Sequence, residues 1–494
     1  MRLVRSMPPH TLRLPLRSSR RSLFLLGLAS LALPAVATAQ PAAAAAPASQ
    51  AAAVDAVVGK AMETRHFPAA SIAVVKDGTV VLAKGYGLSD VEKSIKATEQ
   101  TVYQLASVTK PFTATAILML VEDGKLSLDG KITEILPGLP AAWAPVTVRH
   151  LLTHTSGIKS YTDVFGEKKV AESQVFTPDQ ILALVKDAPL TFTPGEKFAY
   201  CNTGYYLLGM IVEKASGKPY GTFVADRIFK PLGMTSTSLD DYADARPVRA
   251  RGYSFNNGQT QPAEHTHPSQ PVAAGALVST VVDLAKWDAA LTSRKLLKPA
   301  SYDLLWTPMR FNSGTASHYA LGWEVQPYRA RPRQSHGGGI TGFSTFVARF
   351  PDDKVTVIAL VNQSGGAGQA LANGVAEIYL PALKDNAPKP IADPDPTVTA
   401  FLKQALTSAA GGTIDPEWLT PEFRSFLLPD RIKQGPDMMG RHGALQAFEL
   451  MEDTTRDGRR VRIYRATFGT TPLRAQFSLS PDGKIAGLGI SPDN

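Results

Sequence analysis

Hydrophobic and polar positions alternate along this chain with two different periods, which predict where helices and strands lie. Apolar residues at helical spacing predict helices at 51–65, 111–121, 178–187, 205–215, 281–291 and 369–379. Runs rich in β-branched and aromatic residues predict strands at 71–75, 79–83, 319–325, 342–350 and 355–361. Predicted helices and strands thus occur at both ends of the region 51–379, and its middle is predicted to be helical. This order predicts one α/β domain over 54–381, with an antiparallel sheet built from both chain ends and a helical insertion that carries part of any site.

A proline-rich segment separates this region from a smaller one. Five prolines between 381 and 396 predict a linker at 382–396. Beyond it, a helix at 398–408 and alternating strands at 460–466, 473–480 and 484–490 predict a small α+β domain over 397–494. We find no catalytic pattern in this domain, and its role as a docking or lid element is a hypothesis.

The first 39 residues have the composition of an export signal. Arg20-Arg21 precedes an apolar run, and Ala37-Thr38-Ala39 is a small-residue cleavage site. The arginine pair also fits a twin-arginine signal, while an ordinary secretory leader remains the alternative. We therefore predict a signal peptide at 1–39, a flexible Ala/Pro-rich spacer at 40–53, and an exported protein, periplasmic or secreted, without a stable membrane span once the signal is removed.

Charge and cysteine content exclude several classes of function. The formal net charge is +9, but the first 39 residues hold six arginines and no acidic residue, which leaves +3 for the rest. That balance gives no case for nucleic-acid binding. The single cysteine, Cys201, excludes an internal disulfide and is expected to pack as a small apolar residue. We predict neither a metal nor a cofactor, because His150 and His154 lack an H-E-x-x-H pattern.

The strongest chemical signal is Ser107-Val108-Thr109-Lys110, at the start of the apolar helix predicted from Pro111. Residues three apart lie on one helix face, so Ser107 and Lys110 can meet. A serine hydroxyl needs a base to become a nucleophile. A lysine buried at a helix start loses its charge more readily and can be that base. The same spacing recurs at Ser156 to Lys159, but no apolar helix follows, so we interpret that copy as turn chemistry.

Two further motifs offer partners for such a serine. Tyr200-Cys201-Asn202 stands at the start of a predicted helix. A tyrosine facing a lysine ammonium should have a lowered pKa and handle the serine proton, and Asn202 can bond both Lys110 and a substrate carbonyl. Taken alone, the pair is better explained as a core aromatic and a helix cap.

His336-Gly337-Gly338-Gly339 is the second motif, on a predicted inner strand. Glycines let a backbone approach a ligand closely, so an N–H here and that of Ser107 can form an oxyanion hole. His336 is expected to bond the substrate or to tune Tyr200. Alone, the motif is also compatible with a glycine-rich turn beside an exposed histidine.

The three motifs in this order resemble the serine β-lactamase-like hydrolases, the group of class C β-lactamases, D-Ala-D-Ala carboxypeptidases and esterases. The resemblance covers about residues 51–381 and includes the stretches 151–157, 231–234, 275–280 and 321–323. It implies a transpeptidase-like fold, a nucleophile at Ser107 and a base at Lys110 with Tyr200. It further implies Asn202, His336, Gly338 and Gly339 as substrate-binding residues, and the N–H groups of Ser107 and Gly339 as the oxyanion hole.

One departure bears on the substrate. The third motif of β-lactamases begins with lysine, whereas this chain has His336, which is mostly neutral at pH 7. The His-x-Gly form resembles the esterase and D-aminopeptidase branches. We therefore expect an exported serine hydrolase that acts on a small ester, amide or peptide through an acyl-enzyme. The alternatives are a class C-type β-lactamase or D-Ala-D-Ala carboxypeptidase, and a penicillin-binding-like protein that binds cell-wall peptide with little turnover.

Overall fold

The computed structural model describes residues 48–241, 248–256, 258–386, 388–456, 458–469 and 471–492. The predicted signal peptide lies outside these residues, and so does the spacer up to residue 47. Within these ranges, no helix has the length and apolar character needed to cross a membrane.

The larger part of the chain combines one main sheet with helices on both of its faces. Its helices are α1 (Ala48–Arg65), α2 (Thr109–Glu122), α3 (Ile132–Ile135), α4 (Val148–Leu152), α5 (Tyr161–Lys168), α6 (Pro178–Ala183), α7 (Asn202–Ser216), α8 (Tyr220–Val224), α9 (Lys230–Leu232), α10 (Val281–Thr292), α11 (Pro299–Trp306), α12 (Ala367–Tyr379) and α13 (Ala382–Asp385). Its strands are β1 (Ala69–Lys76), β2 (Thr79–Asp90), β3 (Ile95–Lys96), β4 (Tyr103–Gln104), β5 (Ser238–Leu239), β6 (Tyr253–Asn256), β7 (Gln259–Pro262), β8 (Leu277–Ser279), β9 (Glu324–Val325), β10 (Gln334–Ile340), β11 (Phe343–Phe350) and β12 (Val355–Val361).

The main sheet joins the two ends of this region, as the hydrophobic pattern predicts. Its strand order is β3-β2-β1-β12-β11-β10-β9, and the pairings are antiparallel. β1 pairs with β12 from Ala70 opposite Val361 to Lys76 opposite Val355. Helices α1 and α12 cover one face, and α10 packs on the other. Because both faces are covered, β11 and β12 are buried along their whole length, which explains their continuous apolar sequence.

Helix α2 lies at the centre of the core. Every residue from Thr109 to Leu120 is buried, so the prediction of a helix buried on all sides is confirmed. The middle of the chain, from α3 to α9, forms the helical region beside it. The predicted α/β architecture, an antiparallel sheet built from both ends of this region with a helical insertion, is therefore present.

Three predicted elements differ from the structure. Helix α1 begins at Ala48, inside the predicted 40–53 spacer, because the alanines there have the highest helix propensity. The strand predicted at 319–325 is reduced to β9, since Gly322 adopts a left-handed φ of +76° and turns the chain against the carbonyl of Lys110. The helix predicted at 178–187 ends at Ala183.

The C-terminal part forms an α+β unit with its own core. Its helices are α14 (Pro396–Ala410), α15 (Pro421–Leu427) and α16 (Gly435–Met438). Its strands, β13 (Leu445–Arg456), β14 (Arg459–Phe468), β15 (Thr471–Leu479) and β16 (Ile485–Pro492), form an antiparallel sheet in that order. Leu402 and Leu406 of α14 share a buried cluster with Tyr464 and Phe477 of the sheet.

The segment predicted as a linker holds this unit by specific contacts. It contains α13, and further on Asp393 forms an ion pair with Arg462, whose side chain is completely buried. The N–H of Ile391 donates to the carbonyl of Leu450 at 2.8 Å. The last residues before α14 are therefore part of the C-terminal unit and not a free spacer.

Candidate active site

Ser107 lies in a short 3-10 turn, Ala106–Val108, that leads into α2. Ala106 adopts a left-handed φ of +48°, which costs an L-residue about 1 kcal/mol. The main sheet supports this strained turn, because Thr345 Oγ1 donates to the carbonyl of Leu105 at 2.7 Å. The strained turn carries the serine at the N-terminus of α2.

Gly338 allows strand β10 to lie against the same turn. A Cβ at this position would stand 2.2 Å from the carbonyl oxygen of Leu105, so only glycine fits. Gly339, not Gly338, lines the adjacent cleft. Gly338 thus has a packing role at this turn, while its predicted substrate-binding role stays a prediction and Gly339 stays a candidate oxyanion donor.

Lys110 contacts three oxygen atoms through its buried amine. Its Nζ lies 2.8 Å from Asn202 Oδ1, 2.8 Å from the carbonyl of Ala274 and 3.0 Å from Ser107 Oγ. The first two oxygens only accept hydrogen bonds. A neutral amine has two N–H groups and one lone pair, so it can donate to both carbonyls and still accept the proton of Ser107.

Burial also favours the neutral form of Lys110. Its side chain has no exposed surface, and removal from water holds the pKa of the ammonium well below its ordinary value. No carboxylate forms an ion pair with it in the part of the chain that the structure describes. The geometry and the lowered pKa together allow Lys110 to act as a base for Ser107, and Asn202 provides one of its hydrogen-bond acceptors.

Tyr200 faces Lys110 through its ring. Lys110 Nζ lies 4.8 Å from the centroid of the ring, so the nitrogen faces the aromatic surface. The expected lowering of the pKa of Tyr200 is wrong: desolvation raises it and a hydrogen bond with Ser107 only partly offsets this, although water reaches 41% of the side chain and limits the rise. The main cause is removal of the phenol from water, which disfavours its charged form. Tyr200 is thus a phenol at neutral pH and can donate a proton.

His154 supports Tyr200 from behind, a role that we did not assign from the sequence. Its Nδ1 accepts the N–H of Cys201 at 3.0 Å, and its carbonyl accepts the N–H of Ala199 at 2.9 Å. Its ring stacks on Tyr200 with centroids 4.1 Å apart. His154 itself has a left-handed φ of +56°, uncommon for a residue with a side chain. One residue therefore fixes both neighbours of Tyr200 and its ring.

His336 is buried behind Tyr200. Its Nδ1 lies 2.7 Å from the carbonyl of Gly337 and must carry the proton, so Nε2 accepts from the hydroxyl of Tyr319 at 2.7 Å. Both nitrogens are thus occupied, and burial lowers the pKa of His336 to about 3. The predicted direct contact with substrate does not fit this geometry, whereas a role in packing next to Tyr200 does, with ring centroids 6.4 Å apart.

Cys201 behaves as expected from its sequence context. It is buried in the core, its thiol lies 3.2 Å from the carbonyl of Ile158, and burial raises its pKa to about 11. A thiol in that state is a poor nucleophile.

A cleft of about 380 Å³ opens beside the nucleophile. Ser107, Asn202 and Gly339 line it together, which places the candidate nucleophile and a candidate oxyanion donor on one cavity wall. The cleft also contains residues that the sequence did not single out: Tyr161, Thr162, Lys169, Glu172, Thr266, Gln270 and Thr341. Asn202 Nδ2 donates to Thr162 Oγ1 at 3.3 Å, which orients its oxygen toward Lys110.

The family model described as Beta-lactamase matches residues 54–379, about two-thirds of the chain. The chain belongs to the beta-lactamase family. The match covers the main sheet, helix α2 and the residues of the cleft. The family resemblance inferred from the motifs is thereby confirmed.

Relatives of this chain match it over different shares of its length. Penicillin-binding protein 4* of Bacillus subtilis is 33% identical over 315 residues, 58% of this chain and 68% of that protein. Other relatives, at about 30% identity, are matched over only 62% of their own length. This beta-lactamase family member therefore spans less than two-thirds of several relatives that it matches.

Two solved structures give the same fold. The octameric penicillin-binding protein homologue from Pyrococcus abyssi has a TM-score of 0.61 and 25% identity, and the match covers 88% of this chain and 94% of that one. D-amino acid amidase from Ochrobactrum anthropi SV3, solved with L-phenylalanine amide, has a TM-score of 0.59 and 27% identity, over 68% of this chain and 99% of that one. The first match extends into the C-terminal unit, because it covers more than the family region.

Proposed function

We propose that this protein is an exported serine hydrolase that cleaves an ester or amide bond through an acyl-enzyme on Ser107. The observation that carries the proposal is the arrangement of Lys110, whose buried Nζ lies within hydrogen-bond distance of two carbonyl oxygens and of Ser107 Oγ. Export is inferred from the sequence of the first 39 residues.

The acylation step follows from the positions of these groups. Ser107 Oγ attacks the substrate carbonyl carbon while Lys110 takes its proton. The N–H groups of Ser107 and Gly339 bind the oxyanion. The phenol of Tyr200 then donates a proton to the leaving group, and the C–O or C–N bond breaks. In the second half of the reaction, water attacks the acyl carbonyl carbon and gives a proton to the phenolate of Tyr200. The ester C–O bond then breaks, and the Lys110 ammonium returns its proton to Ser107.

The site favours an ester or amide over a β-lactam. A β-lactam carries a carboxylate, and the neutral, buried His336 offers it no cation. The similarity to a D-amino acid amidase supports the same substrate class. The similarity to a penicillin-binding protein supports the second candidate, a carboxypeptidase or binder of cell-wall peptide.

The test compares three substrates on protein that begins at residue 40. p-Nitrophenyl acetate, an alanine p-nitroanilide and a chromogenic cephalosporin are each followed for a burst, and the acyl-enzyme is identified by intact mass. We expect turnover of the ester or anilide, a mass shift on Ser107, and a rate that rises with pH as Lys110 loses its proton. A cephalosporin that is the best substrate would contradict the proposal, and so would a Ser107→Ala variant with the activity of the wild type.

A further inference from the structure

The rim of the cleft is built from two loops that are tightly bonded to each other. Gln270 Nε2 lies within 3.0 Å of the carbonyls of Ala171, Glu172 and Gln174. The N–H of His267 also donates to the carbonyl of Glu172 at 2.8 Å. The backbone at Glu172 is thus fixed, and its side chain has a defined position.

The carboxylate of Glu172 lines the same cleft as Ser107. Its two oxygens accept hydrogen bonds from Thr266 Oγ1 and Thr341 Oγ1, each at 2.5 Å. A carboxylate offers about four acceptor positions, so these two hydroxyls leave room for a further donor. None of the ion pairs in the described ranges involves Glu172, although Lys169 also lines the cleft. The cleft therefore contains a fixed anion without a bonded cation.

The chain also shows how far this anion lies from the candidate oxyanion hole. Thr341, which holds Glu172, follows Gly339 by two residues. Two residues span at most about 7 Å, so the Cα of Thr341, in the turn after β10, lies no farther than that from the Cα of Gly339. The α-amino group of an aminoacyl substrate, two bonds from its scissile carbonyl carbon, is within that reach with one charge-assisted hydrogen bond.

We propose that Glu172 binds a primary ammonium group on the acyl part of the substrate, next to the scissile carbonyl. The preferred substrates are then amides or esters of amino acids, or peptides, with a free amino group. This inference rests on the proposed serine hydrolase function and names its substrate class. Glu172 acts here as a specificity residue, and the reaction steps at Ser107 are unchanged.

A purely structural role is the competing explanation, since Glu172 also connects three segments of chain. Glu172→Gln separates the two roles, because the amide keeps the shape and can still bond both threonines but loses the charge. Glu167→Gln is the matched control: it removes one negative charge nearby, from an exposed side chain of α5 that lies outside the cleft lining.

The experiment measures competitive inhibition of p-nitrophenyl acetate hydrolysis by alaninamide of each configuration and by N-acetylalaninamide. We expect the free amine to bind about tenfold to a hundredfold better than the acetylated form in the wild type, the usual strength of a charged hydrogen bond. Glu172→Gln should remove most of that preference, and Glu167→Gln should keep it. Measuring inhibition makes the result independent of whether the amides are cleaved.

Two outcomes would overturn the inference. One is an equal preference for the free amine in Glu172→Gln and in wild type, which would show that Glu172 has only a structural role. The other is stronger inhibition by a carboxylate analogue such as succinamate, lost in Lys169→Met, which would show that the cleft selects anions. Absence of any Ser107-dependent ester hydrolysis would instead defeat the proposed function itself, so the two failures are distinguishable.

Discussion

Serine and lysine stand three residues apart at two places in the core region, and the two pairs behave differently. In the first, Lys110 Nζ lies 3.0 Å from Ser107 Oγ, inside the core at the start of α2. In the second, Ser156 Oγ accepts the N–H of Ile158 at 3.3 Å, and Lys159 pairs with Glu167 at 3.2 Å. The two lysines thus differ in helix position, in burial and in having a carboxylate partner among the described residues, and these three features distinguish the candidate base from a surface lysine.

The second pair is nevertheless part of the site's support. Ser156 follows His154 by two residues, and the segment between them pairs with the chain before Tyr200: the N–H of Gly195 donates to the carbonyl of Thr155 at 2.8 Å. One copy of the spacing thus carries the candidate chemistry, and the other lies in the turn that holds Tyr200 in place.

The largest expected effect comes from removing the two serines in turn. Ser107→Ala should lower kcat on an ester by about a thousandfold or more, because the acyl-enzyme has no attachment point. Ser156→Ala should keep the burst, measured per folded molecule. Equal losses in both variants would show that the two sites are not functionally distinct.

The two lysines provide the next test, in which each is replaced by arginine so that the positive charge and side-chain length are nearly conserved. Lys110→Arg should reduce the acylation rate by about a hundredfold to ten-thousandfold, because a guanidinium does not lose its proton in a protein. Lys159→Arg should retain the rate, since either cation can pair with Glu167. Acylation is followed by single-turnover kinetics. A fully active Lys110→Arg enzyme would exclude Lys110 as the base.

A smaller effect is expected from the support of Tyr200. His154→Leu removes the acceptor for the N–H of Cys201 and leaves a buried donor unpaired, whereas His154→Asn keeps an acceptor and tolerates the left-handed backbone. We expect about a tenfold lower kcat for the leucine variant, with KM nearly constant, and partial recovery in the asparagine variant. Identical kcat values for wild type and both variants would remove His154 from the positioning of Tyr200.

Acid should destabilise the protein through the buried histidines. Because the folded-state pKa of His336 is about 3 and that of the unfolded chain is about 6.5, the unfolded state binds the extra proton between these values. The contribution of neutral His336 to the free energy of unfolding is therefore complete above pH 6.5, and it falls by about 1.4 kcal/mol per pH unit on acidification. Urea unfolding between pH 4.5 and 7 measures how the free energy of unfolding changes with pH. In His336→Gln this pH dependence should be smaller by the equivalent of one bound proton. An unchanged slope in that variant would mean that the pKa of His336 is the same in the folded and unfolded protein.

The smallest effect should come from the exposed partner of the second pair. Glu167→Gln breaks the bond to Lys159 at the surface, where the glutamate side chain is 64% exposed. Exposed ion pairs contribute little, so the free energy of unfolding should change by about 0.5 kcal/mol or less, as thermal or urea unfolding would show. A much larger loss would indicate that the second pair is structurally essential.

The sequence predicted the main sheet and helix α2 well because their apolar runs are long and regular. Edge strand β13 was not delimited, since its stretch Phe448 to Arg456 alternates few apolar residues and its pairing with β14 has register shifts. The 319–325 segment was misassigned because the turn at Gly322 depends on the neighbouring helix. Periodicity describes local burial and cannot show such contacts.

For the site, the sequence identified the residues better than their pKa shifts and hydrogen-bond partners. The contact between Lys110 and Asn202 was expected and is confirmed at 2.8 Å. The pKa direction of Tyr200 was wrong, because the burial that raises it comes from residues distant in sequence. Of the two roles predicted for His336, a bond to the substrate does not fit the geometry, because its Nε2 accepts from Tyr319. Glu172 has no motif at all, and only the three-dimensional cleft brings it near Ser107.

The buried Arg462 determines where the chain can be divided in protein engineering. Its guanidinium contacts Asp453 within the C-terminal sheet, but also Asp393 and the carbonyl of Asp395, which precede α14. A fragment cut at Pro396 would keep the cation and lose two of its acceptors, leaving a buried charge incompletely paired. A fragment or fusion protein that contains the C-terminal unit should therefore begin before Asp393. The better point at which to divide the chain lies nearer to α13.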